Sequence, residues 1–305
     1  MPFAHLVLAL AVVFVWGTNF VVIKWGLAEF PPFLLAALRF TFSALPWIFF
    51  IRRPATGWLR LAQFGVLLGA GQFGLLFLAM RSDVTPGLAS LVMQSQVFFT
   101  IGLAMALQRE RLAGVQVLAM LLAVAGVALI GWQAVHEGAS ITPLGLGLLL
   151  GAALAWALAN MVVRQAGKVD ALAFVVWSSP FAVPPLVAMA LWADGPAAIG
   201  AALVHATWVG WSAVAWQSVG NMMFGFAAWN WLLARHPAAT VAPAALLVPV
   251  FGMTSSAWVL HEPLQPWKLL AAVLVIGGLA LNLYAGRLAA LLQRAWPRVT
   301  SRIYR

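Results

Sequence analysis

The chain has 305 residues, of which 64% are hydrophobic and 8% charged, and it contains no Cys. A soluble domain carries about a quarter charged residues, so a soluble enzyme is excluded. The absence of Cys removes disulfides, thiol nucleophiles and thiolate metal ligands together. The net charge of +10 does not mark a nucleic-acid surface, because the basic residues sit in short loops and the tail, where they act as orientation signals.

A helix needs about 20 predominantly apolar residues to cross the hydrocarbon core. Ten stretches meet that requirement, near 5–27, 32–51, 61–80, 85–107, 113–132, 143–165, 171–192, 208–233, 238–260 and 267–286. The first starts at His5 without a basic n-region or a small-residue cleavage pattern, and is too long for a signal-peptide core, so it reads as a retained helix. The sequence therefore predicts an all-α, polytopic membrane protein of ten transmembrane helices. Ten spans put both termini on one side. The loops there hold Arg52, Arg53, Arg60, Arg109, Arg111, Lys168 and Arg235, followed by a basic tail over 287–305 with Arg287, Arg294, Arg298, Arg302 and Arg305. The opposite loops hold Arg81 and Lys268. Basic residues resist translocation, which predicts that both termini are cytoplasmic.

Placing each residue over the one 152 positions later aligns E-R-L at Glu110 with E-P-L at Glu262, and pairs Phe99 with Phe251, Gly126 with Gly278 and Leu129 with Leu281. An offset of 140 pairs Trp16 with Trp156 and Lys24 with Arg164, while Asn19 and Asn160 fall one residue out of step. The chain thus divides into a first five-helix repeat over 1–137 and a second over 138–286. Five is odd, so the second repeat enters the membrane in the opposite sense, an arrangement typical of secondary transporters that work by alternating access.

The run W-G-T-N-F-V-V-I-K-W-G (16–26) leads into P-P-F-L-L-A-A-L-R-F ending at Phe40. Then come G-L-A-S-L-V-M-Q-S-Q-V-F-F-T (87–100), E-R-L at Glu110 and V-A-P-A-A-L-L-V-P-V-F-G (241–252). In these motifs, taken in order, the chain resembles the EamA family of the drug/metabolite transporter superfamily, and within it the bacterial O-acetylserine/cysteine exporters. The resemblance covers essentially the whole chain. It implies a ten-helix bacterial inner-membrane fold with a central cavity between the halves, and export of amino acids or related small metabolites. The sixth span departs from the pattern, with W-A-L-A-N at 156–160 where smaller residues are expected between the Trp and the Asn.

An unpaired polar group in hydrocarbon costs several kcal/mol, so each polar residue inside a span needs a partner, a cavity or a ligand. The candidate substrate-binding residues are Asn19, Gln72, Gln94, Gln96, Asn160, Gln217 and Asn221, with Trp156, Trp177 and Trp229 as deep aromatic walls. On a continuous helix Gln94 and Gln96 differ by about 200° and do not share a cavity. Gln217 and Asn221 are spaced i, i+4 and share a face, so their amides could hold a zwitterion or bond a neighbouring helix. Arg39 lies about 10 Å below the outer boundary at 1.5 Å per residue. At that depth snorkelling toward Glu29 or Asp83 is the favoured reading, with a substrate carboxylate as the alternative partner. Pro243 and Pro249 each remove an intrahelical bond in the ninth span and mark a hinge. The pairs Gly65/Gly69 and Gly147/Gly151 leave room for close helix contact.

All seven acidic residues and all five His fall in loops or at span ends, and no P-loop is present. Facilitated export or exchange is therefore expected, with proton coupling only through a boundary residue such as His236 or His261. No buried nucleophile has a base beside it, which speaks against an intramembrane enzyme. No cofactor or metal is called for; the partners are a small-molecule substrate and the lipid bilayer. A passive pore for small polar solutes is the rival reading.

Overall fold

In the computed structural model, residues 1–108, 114–135, 140–167 and 169–295 are described. Glu110 with the loop arginines Arg109 and Arg111, together with His136, Glu137, Lys168, Trp296 and the tail residues Arg298, Arg302 and Arg305, lies outside them. Among the described residues the chain is helical apart from loops and one isolated bridge between Val84 and Ile141.

Among the described residues nine helices are long and apolar enough to cross a bilayer: Phe3–Glu29, Pro32–Phe49, Trp58–Ser82, Pro86–Ala106, Gly114–Ala134, Pro143–Ala166, Ala171–Ala193, Ala242–Val259 and Pro266–Ala285. Trp208–Arg235 completes the ten, as spans one to ten in chain order. It follows a further helix, Gly195–His205, across a bend of 97°. That short helix is absent from the sequence reading because 11 residues cannot cross a membrane. It has no buried residue and is flanked by the exposed Trp192 and Trp208, which suits a segment lying along the headgroup level. Gly195, at φ 78°, makes the turn into it.

Two inverted five-helix repeats are visible in how the spans exchange contacts. A Cβ on Gly126 of span five would stand 3.1 Å from the Ala271 carbonyl of span ten, and one on Gly278 of span ten 2.6 Å from the Ala119 carbonyl of span five. Gly126 and Gly278 are one repeat apart, and so are Ala119 and Ala271. The same contact is thus made twice in exchange, as a two-fold axis between spans five and ten requires. Likewise span one packs on nine and eight as span six packs on four and three, and span two packs on eight as seven does on three.

The third and eighth spans each widen into a π-helical stretch at the same place, Leu67–Gly74 and Trp216–Phe224. Each stretch carries Gly followed by an amide as its fifth and sixth residues, Gly71-Gln72 and Gly220-Asn221. Such stretches cluster at functional positions because the extra residue per turn re-aims side chains. Span four is also irregular, with Pro86–Val92 and Ser95–Gln108 separated by a turn at Met93 and Gln94. The 200° separation of Gln94 and Gln96 therefore does not apply, since it assumed one continuous helix. In span nine, Pro243 stands in a 3-10 stretch, Ala242–Leu246. Pro249 falls in the first turn of Leu247–Val259, where its missing N–H costs no intrahelical bond. Of the two prolines, only Pro243 marks irregular backbone.

Apolar burial gives no net drive between helices in lipid, so close packing at small residues does that work. Gly65 and Gly69 press on Ser178 and Ala182 of span seven, as expected. The expectation for Gly147 is corrected: nothing would meet a Cβ there within 4 Å.

Candidate functional site

Arg39 does not snorkel. It is 1% exposed, and both acids proposed to draw it outward are engaged by threonines brought close by the fold. Glu29 accepts from the Thr207 N–H (2.9 Å) and Oγ1 (2.8 Å), and Asp83 accepts from Thr142 Oγ1 (2.8 Å). The guanidinium turns inward instead. Its Nη2 donates to Asn221 Oδ1 at 2.9 Å and its Nη1 to Gln217 Oε1 at 3.5 Å, while its carbon lies 3.7 Å from the Phe73 ring centroid. Ser218 Oγ, in the same π-helical stretch, donates to the Arg39 carbonyl at 3.1 Å and fixes the two helices in register. Gln217 and Asn221 thus share a face, and it is turned to Arg39.

Span one joins this group through Trp16, whose Nε1 donates to the Asn221 carbonyl at 3.1 Å. The indole lies so close to Gly225 that a Cβ there would sit 2.3 Å from Nε1. Asn19 follows one turn after Trp16 and is buried, as is Gln72 beside Phe73. Among the side chains just named, four atoms are buried without a partner: the donors Arg39 Nε and Gln217 Nε2, and the acceptors Asn19 Oδ1 and Gln72 Oε1. Each such atom costs about 1–3 kcal/mol, and a buried guanidinium without a carboxylate costs more. Among the described residues Arg39 makes no ion pair. The two donors could receive an anion, and the two acceptors a cation or another donor.

The other candidates lie elsewhere. Asn160 Nδ2 donates to Gln96 Oε1 at 3.0 Å and to Thr100 Oγ1 at 3.5 Å, forming a second, half-buried polar group between spans six and four. Gln94 is part-exposed at the break in span four, and Trp156 packs on the main apolar core. Trp177 donates to the Ile51 carbonyl at 2.8 Å and lies beside Trp58, so it braces the end of span two. Trp229 packs on Trp16 with centroids 5.2 Å apart and the rings tilted by 49°. A groove of about 560 Å³ opens between spans one, eight and nine, lined by Phe14, Val21, Trp25, Trp216, Phe251 and Trp258 among others. It holds none of the candidates, so this cavity is lateral and apolar, not the central polar one that the resemblance implies. Sequence reasoning missed the part played by Phe73, and the equivalence of Gln72 and Asn221 was signalled by the repeated Gly-amide pair.

The face of the bundle away from the termini is tied by polar contacts. Lys24 Nζ donates to the carbonyls of Met80 and Arg81 at 3.1 and 3.2 Å, and Arg81 pairs with Asp194 at 3.2 Å. The densest tie centres on Glu262. His261, at φ 55°, reverses the chain after span nine, and the Glu262 N–H reaches back to the Ser256 carbonyl at 3.3 Å. A non-Gly residue in this conformation costs about 1–2 kcal/mol. His261→Gly is therefore expected to raise the thermal midpoint and His261→Val to lower it, as thermal unfolding would check.

The Glu262 carboxylate accepts from Thr85 Oγ1, Ser256 Oγ, the Gly87 N–H (3.0 Å) and Lys268 Nζ (3.0 Å). Burial alone would raise its pKa. The hydrogen bonds from Ser256, Thr85 and Lys268 and the Lys268 charge outweigh that effect and hold it below the ordinary carboxylate value. The carboxylate's contribution to stability is thus fully present above the ordinary carboxylate pKa and is lost as pH falls through the lowered one. Acid titration of thermal stability is expected to show this loss in the native chain and to lack it in Glu262→Gln. On the terminal face, His5 Nδ1 and His236 Nε2 lie 2.7 Å apart, tying spans one and eight.

The EamA-like transporter family model matches residues 4–132 and 143–284. The chain is a member of that family. It is 38% identical over 284 residues to a probable amino-acid metabolite efflux pump of Salmonella typhimurium (strain LT2), covering 92% of this chain and 95% of the relative. A probable amino-acid metabolite efflux pump of Escherichia coli (strain K12) is also 38% identical, over 285 residues, with the same coverage. A crystal structure at 20% identity superposes with a TM-score of 0.61 over 94% of this chain and 99% of that one, which shows the shared fold. Family and relatives are transporters, in keeping with the sequence reading and against an enzyme. The two matched segments each span one repeat of the EamA fold, so this is a multi-pass membrane transporter.

Proposed function

We propose that the chain exports amino acids or closely related metabolites across a bacterial inner membrane by alternating access, with both termini cytoplasmic. The 38% identical efflux pumps support the substrate class, and the basic-residue asymmetry supports the orientation. The observation that carries the reading is Arg39, a buried guanidinium held by two amides with no carboxylate to neutralise it among the described residues. A substrate α-carboxylate supplies the missing anion, accepting from Arg39 Nε and Gln217 Nε2. The α-ammonium is received by acceptors of the kind offered by Asn19 Oδ1 and Gln72 Oε1. Gln96, Asn160 and Trp156 then line the route toward the terminal face, and the irregular backbone at Pro243 and Met93–Gln94 gives spans nine and four places to flex.

Proteoliposomes loaded with single amino acids test this. Saturable uptake accelerated by substrate on the far side is expected, and flux that rises linearly without trans-stimulation would replace the carrier with a pore. Gln217→Ala and Asn221→Ala are each expected to weaken half-saturation about tenfold, the loss of roughly one hydrogen bond to a charged group. Unchanged kinetics in both would remove this face from the route.

A further inference from the structure

We propose that Glu262 is the gate residue of the face away from the termini, holding span four against spans nine and ten until substrate transport forces it open. This rests on the alternating-access reading above and assigns it a residue outside the Arg39 group. The carboxylate stands at the N-terminus of Pro86–Val92, where Thr85 does not cap its own helix. Glu262 takes that place, accepting the Gly87 N–H that would otherwise be unpaired. A Cβ on Gly87 would sit 2.9 Å from the Glu262 carboxylate, so the glycine admits it. Lys268, on span ten and 1% exposed, completes the group, and its Nζ also donates to the Pro263 carbonyl at 3.0 Å. One carboxylate therefore joins three spans through four donors. The contacts from Thr85 and the Gly87 N–H cross to span four and are lost when it separates from span nine, while Ser256 and Lys268 hold the carboxylate on the side of spans nine and ten.

In sequence the tie is not repeated residue for residue. Moving each member to its counterpart 152 positions away places Glu110 for Glu262, but Pro237 for Thr85, Ala104 for Ser256 and Gln116 for Lys268. The acid is retained, while both hydroxyls and the ammonium are not. Two inverted halves would otherwise offer two equivalent closures. The donors gathered at Glu262 stabilise the state closed on that face, and Glu262 is where that closure is set.

The absence of native Cys allows a clean test with single-Cys reporters in nanodiscs, where both faces are open to reagent. Ser90 is buried on the seam between spans four and nine, its side chain against Gly252. Its repeat counterpart, Ala242, is part-exposed. Ser90→Cys is expected to react slowly with a charged maleimide, and adding Glu262→Gln to raise that rate about tenfold or more, since breaking one partner of a buried charge pair is strongly destabilising. Glu262→Asp should fall between, and Lys268→Gln should act like Glu262→Gln. Labelling of Ala242→Cys is expected to slow in the same backgrounds as the population moves to the other state. Faster labelling at Ser90 with no slowing at Ala242 would reduce Glu262 to a local brace, and no change at Ser90 would overturn the proposal outright. Neither reporter depends on amino-acid flux, so failure of the substrate reading is seen separately in the proteoliposome assay.

Discussion

Arg39→Ala is expected to depress amino-acid exchange by about 30-fold or more, because removing one member of a buried charged hydrogen-bond group costs roughly 2–5 kcal/mol. The loss has two sources. The substrate carboxylate loses its cation, and Asn221 Oδ1 and Gln217 Oε1 lose their donor and remain buried. Arg39→Lys keeps the charge but not the planar fork that spans two amides while lying on Phe73. It should restore part of the rate and little of the affinity. The measurement is concentration-dependent exchange in proteoliposomes, with each variant shown to be monodisperse by gel filtration. Native half-saturation and rate in Arg39→Ala would mean that the guanidinium serves packing alone.

Gly65→Ala is expected to cause the largest loss of stability from a single methyl group. The added carbon would stand 2.2 Å from the Ser178 carbonyl oxygen, which is backbone and cannot swing aside. Spans three and seven must then part, which also loosens Gly69 against Ala182 one turn away. Overpacking of this kind costs about 1–3 kcal/mol, a large share of the 5–15 kcal/mol of a typical fold. Gly147→Ala is the control, since nothing lies within 4 Å of a Cβ there. It should be neutral or slightly stabilising, as helix propensity favours Ala by about 1 kcal/mol. Thermal unfolding in detergent compares the two, and equal midpoints would show that the third and seventh spans are not held at this contact.

The ten spans were legible in the sequence because a bilayer admits few alternatives: long apolar runs mark them whatever their packing. The inverted repeat was legible in the E-x-L letters at 110 and 262 and at Gly126 and Gly278, and the two glycines make exchanged contacts across one axis. Arg39 was misread for a definite reason. Depth alone favours snorkelling, and only the fold reveals that Thr207 and Thr142 already engage the acids Arg39 would have sought. The tie at Glu262 went unread because its members are spread over 85–268 and only Ser256 and Lys268 are near it in sequence. Gln94 and Gln96 were separated by a helical wheel that the turn at Met93 interrupts. Gly71-Gln72 and Gly220-Asn221 were visible as letters, but their equivalence rests on two π-helical stretches, which simple 3.6-residue periodicity does not anticipate.

The exchanged contact at Gly126, Ala271, Gly278 and Ala119 makes the seam between spans five and ten self-complementary. Each half supplies both surfaces, so a substitution at either glycine strikes the same interface from opposite sides, and the two halves can diverge there only in step.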